Sequence, residues 1–159
     1  KNDEEYVTNI HGNINKRKII FGIDEKNSEN NSWIDPNDTK YLFTKTARKM
    51  HTYEDDENFA LNKHRDKNIL IYGHSLNFQD YSYFQSIFDI YNISEGDTII
   101  YIAWTNYDKK RKIRANTVNN AIKLLKYYGN SMKNDKGNNL LHRMLLEKRI
   151  RIIEIPNIN

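Results

Sequence analysis

The sequence predicts an α/β fold with a mostly parallel sheet and helices on both faces, Rossmann-like in its layering. Three observations carry the prediction. Short runs such as residues 68–72 (Asn-Ile-Leu-Ile-Tyr) and 97–104 (Asp-Thr-Ile-Ile-Tyr-Ile-Ala-Trp) are apolar at successive positions, as strands covered on both faces are. They alternate with stretches of helical period, the clearest placing Tyr83, Phe84, Ile87, Phe88 and Tyr91 on one face. Such alternation implies a parallel sheet, wound into layers by right-handed crossovers. Third, three apolar segments end in unusual residues: His11-Gly12, Gly22-Ile23-Asp24 and Gly73-His74-Ser75. In open α/β sheets ligands lie beyond the carboxyl ends of the strands, where these segments are expected.

A first strand is expected over residues 6–10, running into His11-Gly12, and a second over 18–23 (Lys-Ile-Ile-Phe-Gly-Ile), closed by Asp24. Residues 25–38 are polar, rich in Asn and Ser, and contain Asp35-Pro36, so they read as a long loop. The loose helical spacing of Tyr41, Leu42, Ala47 and Met50 marks a helix over 39–50. Residues 51–67 are highly charged around Phe59, Ala60 and Leu61, enough for a short helix at most. The strand at 68–72 opens into Gly73-His74-Ser75-Leu76-Asn77, and Asp80 precedes a helix over 81–91. After the strand at 97–104, a helix from about residue 116 carries Val118, Ala121, Ile122, Leu125 and Tyr128, with Gly129 suited to its C′ position. A last helix spans 139–148 through Leu140, Leu141, Met144 and Leu145, and a final strand spans 149–155.

The 159 residues fit a single α/β domain over 1–159. The chain is polar, 38% hydrophobic, but its 12% aromatic content belongs to a sequence that builds a core. It has no cysteine, which excludes a disulfide scaffold, a thiolate zinc site and cysteine nucleophile chemistry. Lys+Arg 25 against Asp+Glu 21 gives +4, spread too thinly for a dedicated nucleic-acid binder. No apolar run approaches the roughly 18–20 residues of a membrane span, and no signal-peptide core is present. A cytoplasmic protein with no membrane partner is expected. The chain opens on Lys1 rather than Met and soon enters an apolar segment, which reads as a piece of something longer.

The candidate chemistry follows the strand ends. His11 can serve as a general base, since an imidazole accepts a proton near neutral pH, and Gly12 and Asn13 extend that junction. The plainer reading is a strand-to-turn junction with a surface histidine. Gly73, His74, Ser75 and Asn77 form the stronger constellation. A glycine brings backbone N–H groups to an anion, while hydroxyl and amide side chains bond sugar hydroxyls at a helix start. Asp80 reads first as an N-cap and second as a ligand residue. No Gly-x-Gly-x-x-Gly occurs. Ser75 lacks the Gly-x-Ser-x-Gly elbow, and His74 as its sequence neighbour is badly placed as its base, so a serine hydrolase is excluded. His51 and His64 lie among Glu54, Asp55, Asp56 and Glu57 without metal-ligand spacing, and no metal is expected. Lys109, Lys110, Arg111, Lys112 and Arg114, beside Trp104 and Tyr107, form a basic run that reads as solvated loop before it reads as a grip on nucleic acid.

Taken together, Asn9-Ile10-His11-Gly12, Ile19-Ile20-Phe21-Gly22-Ile23-Asp24, and Tyr72-Gly73-His74-Ser75-Leu76-Asn77 with Asp80 and Phe84 resemble the C-terminal part of AbiH-type bacteriophage abortive-infection proteins. The resemblance extends more weakly over nearly the whole chain, and the Gly-His-Ser-Leu segment followed by Asp is its most specific part. The order of segments is also similar, more distantly, to sirtuins. That similarity implies a sirtuin-like fold, His11 as catalytic base, Gly22 beside the site, and Ser75 with Asn77 touching the adenosine half of NAD. The departures are Ile23 where sirtuins carry an acid, His74 in a threonine place, and no zinc module. The Gly-rich N-terminal segments of both families are missing too, so their counterpart is expected before Lys1.

Two functions follow from the resemblance. The first is an antiphage abortive-infection protein whose α/β domain binds or cleaves NAD. The second is a non-catalytic sensor or nucleic-acid-binding domain of a phage-defence system.

Overall fold

The computed structural model describes residues 10–13, 18–26, 32–52, 61, 68–106 and 112–156. Contacts divide the chain into two compact units, Lys1–Ala60 and Leu61–Asn159.

In the first unit, β1 (Gly12–Asn13) pairs antiparallel with β2 (Lys18–Ile19), in register Gly12↔Ile19 and Asn13↔Lys18. These segments therefore stand outside the parallel sheet in which they were expected. The reason is connection length: only residues 14–17 separate the two pairs, and a parallel return needs roughly a dozen residues. The expected strand at 6–10 lies outside the described residues apart from Ile10, and the one at 18–23 stops after Ile19. Ile23 makes a lone parallel bridge to Thr44 instead. Asp38 caps a 3-10 turn over Thr39–Phe43 by accepting the Lys40 N–H at 2.8 Å. Buried Thr44 then starts α1 (Lys45–Thr52): its hydroxyl donates to the Tyr41 carbonyl at 2.7 Å and accepts the Ala47 N–H at 3.1 Å.

The second unit is an open three-stranded parallel sheet in the order β3-β4-β5, formed by Asn68–Ile71, Ile99–Trp104 and Ile150–Glu154. Its connections are α2 (Tyr81–Ile90) and a series of three helices: α3 (Lys112–Ser131), α4 (Asp135–Asn138) and α5 (Leu140–Leu146). Registers Ile69↔Ile100↔Ile150 and Ile71↔Ile102↔Ile152 line one sheet face with isoleucine. Against that face pack Tyr81, Phe84 and Phe88 of α2, Leu124, Leu125 and Tyr128 of α3, and Leu140 and Met144 of α5. Strands laid down in chain order, joined by right-handed crossovers, send both connections over the same face. The described helices of this unit thus share one layer, and on the other face Leu70 is 59% exposed. The parallel α/β class read from the sequence holds, but the described helices of this unit cover one face of the sheet where helices on both were expected, because the three strands follow one another in chain order.

Both ends of α3 differ from expectation, as does the helix expected over 39–50, which is a 3-10 turn followed by α1. α3 starts at Lys112, ahead of residue 116, and continues through Gly129 to Ser131. Gly129 is not a C′ residue but a contact point, since a Cβ there would stand 2.2 Å from the carbonyl oxygen of Gly137 in α4. From within that packing, the Tyr128 hydroxyl donates to Asp89 Oδ1 at 2.6 Å; burial, then that carboxylate, pushes the phenol well above its usual range. No helix among the described residues is long and apolar enough to cross a membrane.

Candidate functional site

β3 is an edge strand, and its carboxyl end opens through Tyr72 into the loop 73–77. Two residues of that loop have left-handed backbone: Gly73 at φ +67° and Leu76 at φ +56°. For a leucine this conformation costs about 1–2 kcal/mol, so the surroundings must hold it. They do so from two sides. The Leu76 side chain is buried in the core, and its N–H donates to His74 Nδ1 at 2.8 Å. Because Nδ1 accepts, the imidazole carries its proton on Nε2, which donates to Asp80 Oδ2 at 3.0 Å. The ring also meets Phe84 edge-on, with centroids 4.9 Å apart. His74 therefore ties the loop to the start of α2.

Asp80 does not perform the capping role read from the sequence. Its side chain makes no capping bond to α2; the carboxylate lies inward with His74. A 3-10 turn over Phe78–Asp80 precedes the helix, and the Tyr81 N–H already bonds the Phe78 carbonyl. A side-chain cap has less left to satisfy there. A second clamp comes from α3, where Asn120 Nδ2 donates to the Ser75 carbonyl at 2.9 Å and to Asn77 Oδ1 at 3.4 Å.

The loop thus separates into scaffold and surface. His74 and Asp80 are interior supports, whereas Gly73, Ser75 and Asn77 are exposed. At Gly73 a Cβ would meet no atom of the described residues within 4 Å, so that side of the turn is open among them. The result is a fixed turn at the carboxyl end of a parallel strand, with a hydroxyl and an amide at its surface. Such a turn can bond phosphate through backbone N–H groups and sugars through side chains.

The remaining candidates lie in the first unit. His11 is half-buried, and its carbonyl accepts the Ile20 N–H at 2.9 Å. Gly12 and Asn13 form β1, and Gly22 has a packing reason of its own: a Cβ there would stand 2.6 Å from the Phe43 carbonyl oxygen. Lys109, Lys110 and Arg111 lie outside the described residues, while Lys112 and Arg114 are exposed at the start of α3. Asn120 was not singled out in the sequence. It sits beside Asn119 on a helix rich in asparagine, and nothing local distinguishes the one that reaches the loop.

An open three-stranded parallel sheet, with a supported glycine turn at the carboxyl end of an edge strand, defines an α/β domain. Residues 1–104 match the model of the family described as Bacteriophage abortive infection AbiH. The chain belongs to that family, which supports an antiphage abortive-infection role. No curated protein and no solved structure matches the chain.

Proposed function

We propose that the unit Leu61–Asn159 serves abortive infection by binding a nucleotide, with NAD the first ligand to consider, at the loop 73–77. The observation that carries this reading is the left-handed turn at Gly73, open on its Cβ side among the described residues, in a loop held by His74, Asp80 and Asn120 with Ser75 and Asn77 exposed on it. A strand end built that way presents N–H groups and a hydroxyl without needing to rearrange, which lowers the entropic cost of binding. The sirtuin resemblance adds the finer form, NAD cleavage with His11 as general base.

The test is NAD binding by the full chain, followed by equilibrium dialysis, together with NAD cleavage by the unaltered and His11→Ala proteins. Binding that weakens in Ser75→Ala and in Gly73→Val, with the fold retained by circular dichroism, supports the reading. Absence of NAD binding at millimolar ligand refutes it. Binding without cleavage, or cleavage unaffected by His11→Ala, removes His11 from the chemistry.

Exposed Lys112 and Arg114 at the start of α3 favour a second reading, a nucleic-acid-binding sensor. Binding of single- or double-stranded nucleic acid that falls steeply with salt, and falls further in Lys112→Ala with Arg114→Ala, would support it.

A further inference from the structure

We infer that Thr105 and Asn106, where the chain leaves β4, form a sugar-hydroxyl subsite beside the loop 73–77. The inference rests on the nucleotide reading and assigns a part of the ligand to each strand end. Its first support is position. β3 and β4 are adjacent and parallel with Ile71 opposite Ile102, so the chain leaves both at the same end of the sheet, Gly73 level with Trp104. His74 and Ser75 then follow from one strand as Thr105 and Asn106 follow from the other. The far side of β4 is held in place, because Ile155 N–H donates to the Trp104 carbonyl at 2.8 Å.

The second support is hydrogen-bond accounting. Thr105 Oγ1 and Asn106 Oδ1 are both shielded from solvent and have no hydrogen-bond partner among the described residues. Folded proteins pair the large majority of such atoms, so two on consecutive residues need an explanation. Their place at the ligand-bearing end of the sheet supplies one.

The chemistry of the two atoms then narrows the partner. A side-chain amide oxygen only accepts, whereas a threonine hydroxyl donates or accepts. With the amide oxygen turned inward, as it stands here, the missing partner offers a donor to Asn106, which an ionised phosphate oxygen does not. Two neighbouring hydroxyls satisfy both residues: one donates to Asn106 Oδ1, and the other accepts from the Thr105 hydroxyl. A ribose diol has that pattern. The loop at β3 would take the anionic part of the nucleotide, and the end of β4 its sugar.

The experiment compares AMP with 2′,3′-dideoxy-AMP on the full chain and on Thr105→Val and Asn106→Leu, alongside thermal melts without ligand. The unaltered protein should prefer AMP by about tenfold, the loss expected for one to two hydrogen bonds. Asn106→Leu should abolish the preference while leaving dideoxy-AMP binding in place. In the melts both variants should hold or raise the midpoint, by up to roughly 2–4 °C, because an unsatisfied polar group has been removed. Equal affinity of the unaltered chain for both nucleotides, or a preference that survives both substitutions, overturns the subsite and leaves the nucleotide reading standing. A drop of several degrees in either variant shows that an internal partner, such as a trapped water, already serves these atoms, and overturns the subsite whatever the binding result. Failure of the unaltered chain to bind either nucleotide refutes the nucleotide reading and the sugar assignment with it.

Discussion

His74→Ala is the sharpest perturbation of the loop. It removes the acceptor of the Leu76 N–H, and an amide that loses its partner beside a buried side chain costs about 1–3 kcal/mol. It also removes the Nε2–H donor to Asp80, a bond to a charged group and so worth about 1.5–3 kcal/mol. The edge-on contact with Phe84 adds about 0.5–1.5 kcal/mol. The three losses share one side chain and water enters the gap, so they do not simply add, and roughly 3–5 kcal/mol is expected. That is a large share of the 5–15 kcal/mol typical of a folded domain. The assay is urea unfolding followed by tryptophan fluorescence, with Trp104 reporting on β4. His74→Asn sharpens it: a short amide offers Leu76 an acceptor but does not reach Asp80, so it should recover about 1–2 kcal/mol. Ser75→Ala, at an exposed neighbour, should stay within about 0.5 kcal/mol of the unaltered protein. Should His74→Ala prove as stable as Ser75→Ala, the account of His74 as the support of the loop is wrong.

Three further outcomes are expected. Gly73→Ala meets no atom of the described residues, so its cost should be only that of a left-handed alanine, about 1–2 kcal/mol in urea titration; a much larger loss would mean that the space is occupied. Gly129→Ala drives a Cβ to within 2.2 Å of the Gly137 carbonyl oxygen, and backbone displacement of about 1–3 kcal/mol should outweigh the gain of about 1 kcal/mol in helix propensity. A raised melting temperature for that variant would contradict the α3–α4 approach. Tyr128 makes stability fall in alkali. Above the ordinary tyrosine value near 10 the unfolded chain sheds a proton that the folded one keeps, so stability drops by about 1.4 kcal/mol per pH unit from this group. Urea titrations between pH 9 and 11 should show a shallower fall in Tyr128→Phe, and equal slopes in the two proteins would rule the effect out.

Much of the second unit was legible because its signals are local. The apolar runs at 68–72 and 97–104 are short, β-branched-rich and bounded by turn residues, which favours strands over helices, and the spacing of Phe84 and Phe88 gives a helix a face to bury. The loop 73–77 was legible for the same reason, since Gly-His-Ser after an apolar run marks a strand that ends in a turn. Tertiary structure decided what each residue does there. His74 looks like a ligand residue in the chain and Asp80 first like an N-cap, yet they bond each other across the 3-10 turn, because folding brings α2 back over the end of β3. Asn120 joins the loop from 45 residues away, a distance at which no sequence period reports contact. Gly129 suits a helix end in isolation and became a crossing point only once α4 folded back against it. Which strands joined the parallel sheet was likewise a matter of connection length and packing. Local hydrophobic period determined the elements; partners distant in the chain determined the register, the side of the sheet and the role of each polar side chain.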